Sequence, residues 1–453
     1  MLRQLVDGLG SPVNVVLPQR VGENVAAFRA VRQRHRLGGQ IYFAHKANQS
    51  SALLRELAAG EAGVDVASLG ELQHALASGF TPDRIMATGP KDREFLWLAA
   101  RTGVTVNADS AAELRELTAL VSAYRLARPR VTVRLSGFEA DGVRVMTRRS
   151  RFGVPVAALD EVLAAAGKLD LAGVSYHLDT VEIREKAVAL EGCLAALDRC
   201  RAAGLRPWSL DIGGGFGVNY LADGAQWETY TSELAQAVLG NRPPLTWNGH
   251  GYGLRAEAGT LKGSLALYPS YRPAAGPDYL DKLLSTDAPG RRRPLGELLL
   301  DHMIDLDIEP GRALLDQCGL VVTRVLAVDE DRIQLDMNAR DVGLEEHGVL
   351  MDPIHVPQRP NPTDAGKGFY LFGNLCLESD LITRRQVFLP HTPQPGDLLV
   401  FVNAAGYFMD FTATTALRKP PGRKVALYRS GAAWRWCLDE NYWPVHPPSP
   451  EEP

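Results

Sequence analysis

The chain has 453 residues, of which 45% are hydrophobic and 23% are charged, and its formal net charge at pH 7 is −4. This length exceeds the size at which a single hydrophobic core stops growing, so it favours two domains. The nearly balanced charge gives no basic footprint for nucleic acid or an anionic membrane surface, and no apolar run approaches the length that spans a bilayer.

The five cysteines are odd in number and show no Cys-x-x-Cys spacing. Such a set predicts free thiols in a reducing compartment, not a disulfide framework or a zinc site. Residues 1–7 lack a basic segment followed by an apolar core, so no signal peptide is predicted. We therefore expect a cytoplasmic protein that holds no metal.

Over the first 310 residues, short β-type runs alternate with amphipathic helical patterns. Strands are predicted at residues 40–45, 64–67, 84–88, 104–108, 131–135, 173–177, 208–212 and 305–308. The clearest helices are predicted at 50–59, 69–78, 111–120 and 187–203. This alternation implies parallel strands joined by crossovers, and eight repeats imply closure into a (β/α)₈ TIM-type barrel. An open doubly wound sheet is the alternative, although its glycine fingerprint after the first strand is missing.

Beyond residue 319 the pattern changes to strands separated by turn residues, at 321–328, 332–337, 368–372, 386–389, 398–402 and 425–428. It predicts a C-terminal all-β domain. The expected division is an N-terminal strand segment at 1–20 that joins the β domain, the barrel at 21–318, the β domain at 319–446 and a disordered tail at 447–453. The long stretch 216–304 is expected to be either a functional insertion at the catalytic face or a surface for subunit contacts.

Polar residues at the C-terminal ends of the strands are candidate site residues, because active sites of barrels gather at those ends. They are Lys46, Asp65, Ser68, Arg134, His177, the glycines Gly213, Gly214 and Gly215, Glu309 and Arg312. Desolvation of the Lys46 amine is expected to lower its pKa and to suit Schiff-base chemistry. A triglycine turn offers backbone N–H groups to a phosphate. A carboxylate such as Glu309 can keep a ring nitrogen protonated, and Arg312 can pair with phosphate. Each residue alone has an ordinary structural explanation, but the set predicts a site for pyridoxal phosphate.

Several motifs carry a family resemblance over nearly the whole chain. They are Phe43-Ala-His-Lys-Ala-Asn48, Val64-Asp-Val-Ala-Ser68, Ser150-Arg-Phe-Gly153, Gly173-Val-Ser-Tyr-His177, Asp211-Ile-Gly-Gly-Gly-Phe216, Glu309-Pro-Gly-Arg312, Gly373-Asn-Leu-Cys-Leu-Glu-Ser-Asp380 and the segment from Gly396 to Tyr407. With these motifs the sequence resembles the fold-type III pyridoxal-phosphate enzymes, specifically the ornithine/diaminopimelate decarboxylase group, as a divergent and poorly characterised subgroup.

The resemblance implies roles for the candidate residues. Lys46 would carry the cofactor as a Schiff base, and His177 would stack on its ring. The phosphate would be contacted by Gly213, Gly214, Gly215, Arg312 and Tyr407, the pyridine nitrogen by Glu309, and further cofactor contacts would come from Asp65, Ser68, Arg134 and Thr180.

The resemblance also implies a head-to-tail homodimer with shared active sites. Cys376 would reach into the partner's site and return a proton after carbon dioxide leaves. Glu378 and Asp380 would lie near the distal end of an amino-acid substrate and would favour one with a second amine.

Three departures from the family pattern argue against diaminopimelate or ornithine as the substrate. His177-Leu-Asp-Thr180 replaces His-Val-Gly-Ser, Leu377 separates Cys376 from Glu378, and residues 337–341 differ on the substrate side. The sequence thus predicts pyridoxal-phosphate-dependent decarboxylation of an amino acid or derivative, with a diamino acid or a specialised metabolite as candidates. An amino-acid racemase or epimerase on the same fold and a non-catalytic pyridoxal-phosphate-binding protein stay open as alternatives.

Overall fold

The structure is a computed structural model that describes residues 1–140, 143–144, 151–167, 169–178, 180–344, 349–358 and 365–444. The tail 447–453 and Asp179, one of the residues that depart from the family pattern, lie outside the described residues. Within the described ranges, none of the helices combines the length and the apolar character needed to cross a bilayer.

The strands and helices are numbered along the chain. The strands are β1 (Val13–Val16), β2 (Tyr42–Ala44), β3 (Gly63–Val66), β4 (Ile85–Ala87), β5 (Thr105–Ala108), β6 (Arg130–Ser136), β7 (Glu139–Ala140), β8 (Val143–Arg144), β9 (Val154–Pro155), β10 (Asp170–Ser175), β11 (Ser209–Asp211), β12 (Leu254–Glu257), β13 (Thr260–Gly263), β14 (Asp305–Asp307), β15 (Gly319–Asp329), β16 (Arg332–Leu335), β17 (Ile354–Val356), β18 (Lys367–Phe372), β19 (Leu381–Leu389), β20 (Leu398–Phe401), β21 (Arg423–Ser430) and β22 (Ala433–Leu438). The α-helices are α1 (Leu2–Leu9), α2 (Pro18–Arg34), α3 (Ser51–Ala59), α4 (Leu69–Ala77), α5 (Arg93–Thr102), α6 (Ala111–Tyr124), α7 (Leu159–Ala165), α8 (Ile183–Ala202), α9 (Gly224–Val238), α10 (Gly276–Leu284) and α11 (Leu295–Asp301).

Eight parallel strands form a barrel, in the order β2, β3, β4, β5, β6, β10, β11, β14. The backbone N–H of Tyr42 donates to the carbonyl of Ile308 at 2.8 Å, and the N–H of Ile308 donates to the carbonyl of Gln40 at 3.1 Å. These bonds join the last strand to the first and close the sheet. The predicted barrel is confirmed, and the open doubly wound alternative is wrong.

Helices of the barrel begin at side chains that satisfy otherwise unpaired backbone N–H groups. Ser50, Ser68, Asp92 and Ser110 accept hydrogen bonds from the N–H three residues later, at the starts of α3, α4, α5 and α6. Each cap follows the C-terminal end of a strand. Because the barrel strands are parallel, these capped helix starts all lie at the same end of the barrel.

The second layer is an all-β sheet, as predicted. Its main path runs β19, β18, β16, β15, β1, β21, β22, and β20 pairs with both β15 and β17. Strand β1 lies antiparallel to β15 and parallel to β21, and all four of its residues are buried. The N-terminal strand is thus a central strand of the sheet that the C-terminal half builds.

The stretch between β11 and β14 contains two kinds of structure. Its later part, α10 and α11, buries leucines in the main core and completes the barrel wall. Its earlier part adds α9 and the hairpin β12–β13, and it reaches the β domain of the same chain. There the ring of Trp247 packs edge-on against Tyr370 and Phe372, with ring centroids 5.1 and 5.2 Å apart.

Candidate active site

Lys46 lies in a single 3₁₀ turn, His45–Ala47, that directly follows β2. Burial is the largest influence on its pKa and lowers it, but negative charge nearby, led by Asp65 and including Glu309, outweighs burial. The pKa of Lys46 is therefore raised above its ordinary value. The expected lowering is wrong because it considered only desolvation of the amine and not the charges of the carboxylates predicted beside it, which come from β3 and from the end of β14.

Asp65 is one of those carboxylates and is itself buried in β3. Burial, then the charge of Glu309, raises the pKa of Asp65 to about 8. The hydroxyl of Thr88, at the end of the neighbouring strand β4, donates to Oδ1 of Asp65. The charges of Asp65 and Lys46 therefore influence each other: that of Lys46 lowers the pKa of Asp65, and that of Asp65 raises the pKa of Lys46.

His177 and Glu309 face each other after β10 and β14, with Nδ1 of His177 3.5 Å from Oε2 of Glu309. Burial lowers the pKa of His177, which favours a neutral imidazole. Burial alone would raise the pKa of Glu309, yet contact with His177 and the charge of Lys46 lower it below its ordinary value. Glu309 is therefore a buried carboxylate that stays ionised at neutral pH.

The glycine turn after β11 brings backbone against these side chains. Gly213 and Gly215 have φ of +65° and +86°, where other residues are strained. A Cβ at Gly213 would lie 2.6 Å from Nδ1 of His177, and one at Gly214 would lie 2.7 Å from the carbonyl of Glu309. Glycine is therefore required for this close approach.

Not every N–H of the turn faces the cavity, contrary to the simplest expectation. The N–H of Gly213 donates to Oδ1 of Asp211 at 2.7 Å, and that of Gly214 donates to Nδ1 of His177 at 3.3 Å. Among the described residues, the N–H groups of 215–217 have no acceptor in the protein. The unpaired donors therefore begin two residues further along the turn than predicted.

Arg312 and Tyr407 close the other side of the site. Nη1 of Arg312 donates to the hydroxyl of Tyr220 and to the carbonyl of Gly406, both at 3.0 Å. The N–H of Tyr407 donates to the carbonyl of Ala47 at 2.8 Å, which fixes Tyr407 beside the turn that carries Lys46. The β domain thus contributes directly to the barrel's site.

Most of the predicted site residues line one cavity of about 440 Å³. They are Lys46, His177, Thr180, Gly214, Gly215, Glu309, Arg312 and Tyr407. Arg134 lines an adjoining cavity that shares Lys46, His177 and Glu309. Ser68 is exposed and caps α4, so its contact with a cofactor stays a prediction.

The loop 373–380 lies apart from this cavity within one chain. Cys376 is exposed and lines a different cavity, together with Glu378, Asp380 and Trp247 of the insertion. Asp380 is buried, and its two carboxylate oxygens accept the N–H groups of Ala339 and Leu375, each at 2.8 Å. Its carboxylate therefore holds the loop in shape.

Lys186 was missed from the sequence and lies directly behind the glycine turn. It is fully buried on α8, and its amine donates to the carbonyl of Gly214. Burial lowers the pKa of Lys186 to about 7. A signal existed in the sequence, because Lys186 shares its helical stripe with Leu190 and Cys193, both buried.

The residues present fit pyridoxal phosphate. A lysine amine at a strand end can form a Schiff base with its aldehyde once the amine has lost its proton, and an ionised buried carboxylate suits its ring nitrogen. A glycine turn without room for a Cβ, followed by unpaired N–H groups, suits its phosphate.

Comparison with known proteins supports the same conclusion. Residues 22–260 match the family described as "Pyridoxal-dependent decarboxylase, pyridoxal binding domain". The chain belongs to this family. It is a divergent fold-type III pyridoxal-phosphate-dependent amino-acid decarboxylase, a lyase of amino-acid metabolism.

Relatives of this decarboxylase are similar over most of their length. An uncharacterized protein, y4yA, of Sinorhizobium fredii is 31% identical over 437 residues, which cover 91% of this chain and 86% of the relative. The diaminopimelate decarboxylase of Pseudomonas aeruginosa is 30% identical over 381 residues, 81% of this chain and 76% of the relative. The solved diaminopimelate decarboxylase of M. jannaschii in complex with L-lysine shares the fold, with a TM-score of 0.73 and 17% identity. The match covers 96% of this chain and 91% of that structure's chain.

Proposed function

We propose that this decarboxylase removes the α-carboxylate of an amino acid whose side chain carries a second amino group. The observation that carries the decarboxylation chemistry is the convergence of Lys46, His177 and Glu309 beside the glycine turn. When bound, pyridoxal phosphate withdraws electrons from the bond to the departing carboxylate. Lys46 would attach the cofactor, and His177, neutral because it is buried, would pack against the cofactor ring.

The protein's own residues would keep the cofactor's ring nitrogen protonated and orient its phosphate. Glu309 remains ionised in a buried setting, so it would hold a proton on the ring nitrogen by accepting its hydrogen bond. Arg312 and the N–H groups of residues 215–217 orient the phosphate end.

The second amino group of the substrate is inferred from the acidic loop. Glu378 is an exposed carboxylate two residues from Cys376. Several curated relatives are diaminopimelate decarboxylases, and one solved neighbour is in complex with L-lysine. Because Leu377 displaces Glu378 by one position from the family pattern, we propose a substrate other than diaminopimelate or ornithine.

The site is proposed to be completed by a second copy of the chain in a homodimer. Cys376 is exposed and lines a cavity distinct from that of Lys46 within its own chain. In the partner's site its thiol would return the proton to Cα. All five cysteines are free, which supports the proposal that the enzyme acts in the cytoplasm.

The test is incubation of the purified protein with L- and D-amino acids, including diamino acids, in D₂O, followed by mass spectrometry. Loss of carbon dioxide with gain of one deuterium is the expected result, and it identifies the substrate. Exchange at Cα without loss of mass would instead indicate racemisation and would remove the assignment of Cys376. Turnover only of substrates without a second amine would refute the substrate class.

A further inference from the structure

The returning segment of the insertion is fixed against the chain that leaves the glycine turn. The N–H groups of Tyr220 and Leu221 donate to the carbonyl of Ser270 at 2.9 and 3.1 Å. The side chain of Asn219 accepts from the N–H of Arg272 at 2.8 Å and donates to its carbonyl at 2.9 Å. The backbone at Arg272 is therefore held beside the turn before any ligand arrives.

The guanidinium of Arg272 lines the cavity that contains Lys46. It stacks on the ring of Tyr268 at 4.6 Å, and Arg312 stacks on the same ring at 4.6 Å. A Cβ at Gly217 would lie 2.8 Å from Nη1 of Arg272, so this arginine approaches the turn as closely as glycine allows. Two guanidiniums thus share one aromatic ring at the edge of the cavity.

This guanidinium has no acceptor within the part of the chain that the structure describes. Its Nε is buried and has no hydrogen-bond partner, and no carboxylate there forms an ion pair with it. Two other arginines around the site do have partners in the protein. Arg134 forms an ion pair with Asp109, and Arg312 donates a hydrogen bond to the hydroxyl of Tyr220. A buried donor without an acceptor costs free energy, so its position calls for an acceptor from a ligand.

We propose that Arg272 is an additional anion-binding residue of this site, supplied by the insertion. It takes, together with the unpaired N–H groups of residues 215–217, the oxygens of the cofactor phosphate or of a substrate carboxylate. A planar guanidinium held by stacking offers such oxygens two parallel hydrogen bonds. The inference rests on the proposed placement of the cofactor phosphate at the glycine turn.

The test compares Arg272→Met with Arg255→Met. Arg255 lies in the same insertion, on the exposed hairpin strand β12, where it pairs with Glu257. The full-length protein is freed of cofactor, and the affinities for pyridoxal phosphate and for pyridoxal, which lacks the phosphate, are measured by titration. Steady-state kcat and KM are then measured for the amino acid that the enzyme decarboxylates. Circular dichroism checks folding, and Arg272→Lys tests whether charge without the planar fork suffices.

If the anion is the phosphate, Arg272→Met weakens the binding of pyridoxal phosphate at least about tenfold and leaves the affinity for pyridoxal unchanged. Arg272→Lys then recovers part of the affinity for pyridoxal phosphate. If it is a carboxylate, both cofactor affinities stay unchanged and KM rises about tenfold with kcat preserved. Values equal to those of Arg255→Met in both arms would overturn the inference. Wild-type protein that binds pyridoxal as tightly as its phosphate would overturn the placement at the glycine turn as well.

Discussion

At the scale of single residues, the charge of Glu309 is set by its neighbours against the effect of burial. A buried carboxylate ordinarily gains a proton. Here contact with His177 and the charge of Lys46 keep the pKa of Glu309 low, while burial and the charge of Glu309 raise that of Asp211 well above its ordinary value. Neighbouring acids in one site are thus pushed to opposite protonation states, as a division of roles requires.

Replacing Glu309 by glutamine should therefore separate cofactor binding from turnover. We expect Glu309→Gln to keep pyridoxal phosphate on Lys46 but to lower kcat by roughly 10²–10³-fold, since a neutral amide cannot hold the proton on the ring nitrogen. Cofactor content and kcat are measured on the same preparation. Asp305→Asn is the control, because Asp305 is exposed on the same strand. Near-normal turnover in Glu309→Gln would exclude the assigned role.

Lys186 should lower stability at neutral pH. Its pKa is near 10.5 in the unfolded chain and about 7 in the fold, so the unfolded state binds more protons between these values and stability rises with pH across that window. Below pH 7 the full cost is present, roughly 4–5 kcal/mol for this pKa difference. In Lys186→Met the unpaired carbonyl of Gly214 offsets about 1–3 kcal/mol of the gain.

We therefore expect Lys186→Met to raise the free energy of unfolding by roughly 1–4 kcal/mol at pH 6.5, and the gain to vanish by about pH 10. Urea denaturation across this pH range measures both. The matched variant is Lys282→Met, since Lys282 is exposed on α10 and should show no such trend. A Lys186→Met protein that is less stable than wild type at pH 6.5 would contradict the expectation.

The residues that could be predicted from the sequence are those whose position follows from a rule of the fold. Lys46, His177 and Glu309 end barrel strands, and such ends meet at one face. Lys186 was missed because a lysine on a helix is usually exposed, and only its place on a buried stripe marked it. Arg272 lies in an insertion without periodicity, so its contact with the glycine turn depends on tertiary packing that no local pattern encodes.

At the scale of elements, the loop that carries Cys376 is shaped by Asp380. Both oxygens of this carboxylate accept backbone N–H groups, from Ala339 and from Leu375 in the loop itself. Charge-assisted hydrogen bonds of this kind contribute about 1.5–3 kcal/mol each. The sequence predicts that Asp380 lies near the substrate. In the structure, both oxygens of its carboxylate already accept hydrogen bonds from the protein backbone.

Asp380→Ala should accordingly behave as a loop variant. We expect a loss of roughly 3–6 kcal/mol in the free energy of unfolding and a fall in kcat as Cys376 loses its position. The effect on KM should be small. Glu378→Ala is the counterpart, because an exposed carboxylate that binds the substrate's second amine should raise KM and leave stability unchanged. A selective rise in KM for diamino substrates in Asp380→Ala would return this residue to the substrate site.

At the scale of the whole molecule, the barrel and the β domain depend on each other for one site. Strand β1 precedes the barrel yet lies in the middle of the β sheet, and Tyr407 of the β domain hydrogen-bonds to the turn that holds Lys46. Within a chain this completes the cofactor's side of the site. Cys376, the proposed proton donor, is exposed and lines a different cavity, which is the geometry expected if two copies exchange these loops.

Shared sites can be tested by mixing two inactive proteins. Lys46→Ala removes the proposed point of cofactor attachment, and Cys376→Ala removes the proposed proton donor. In a symmetric homodimer, subunit exchange makes about half of the dimers mixed, and each mixed dimer has one site with Lys46 and Cys376 both intact. The mixture should therefore recover about a quarter of wild-type decarboxylation, with the unmixed proteins measured alongside. If activity stays at the level of the two separate variants although mass spectrometry detects mixed dimers, each site is built from a single chain.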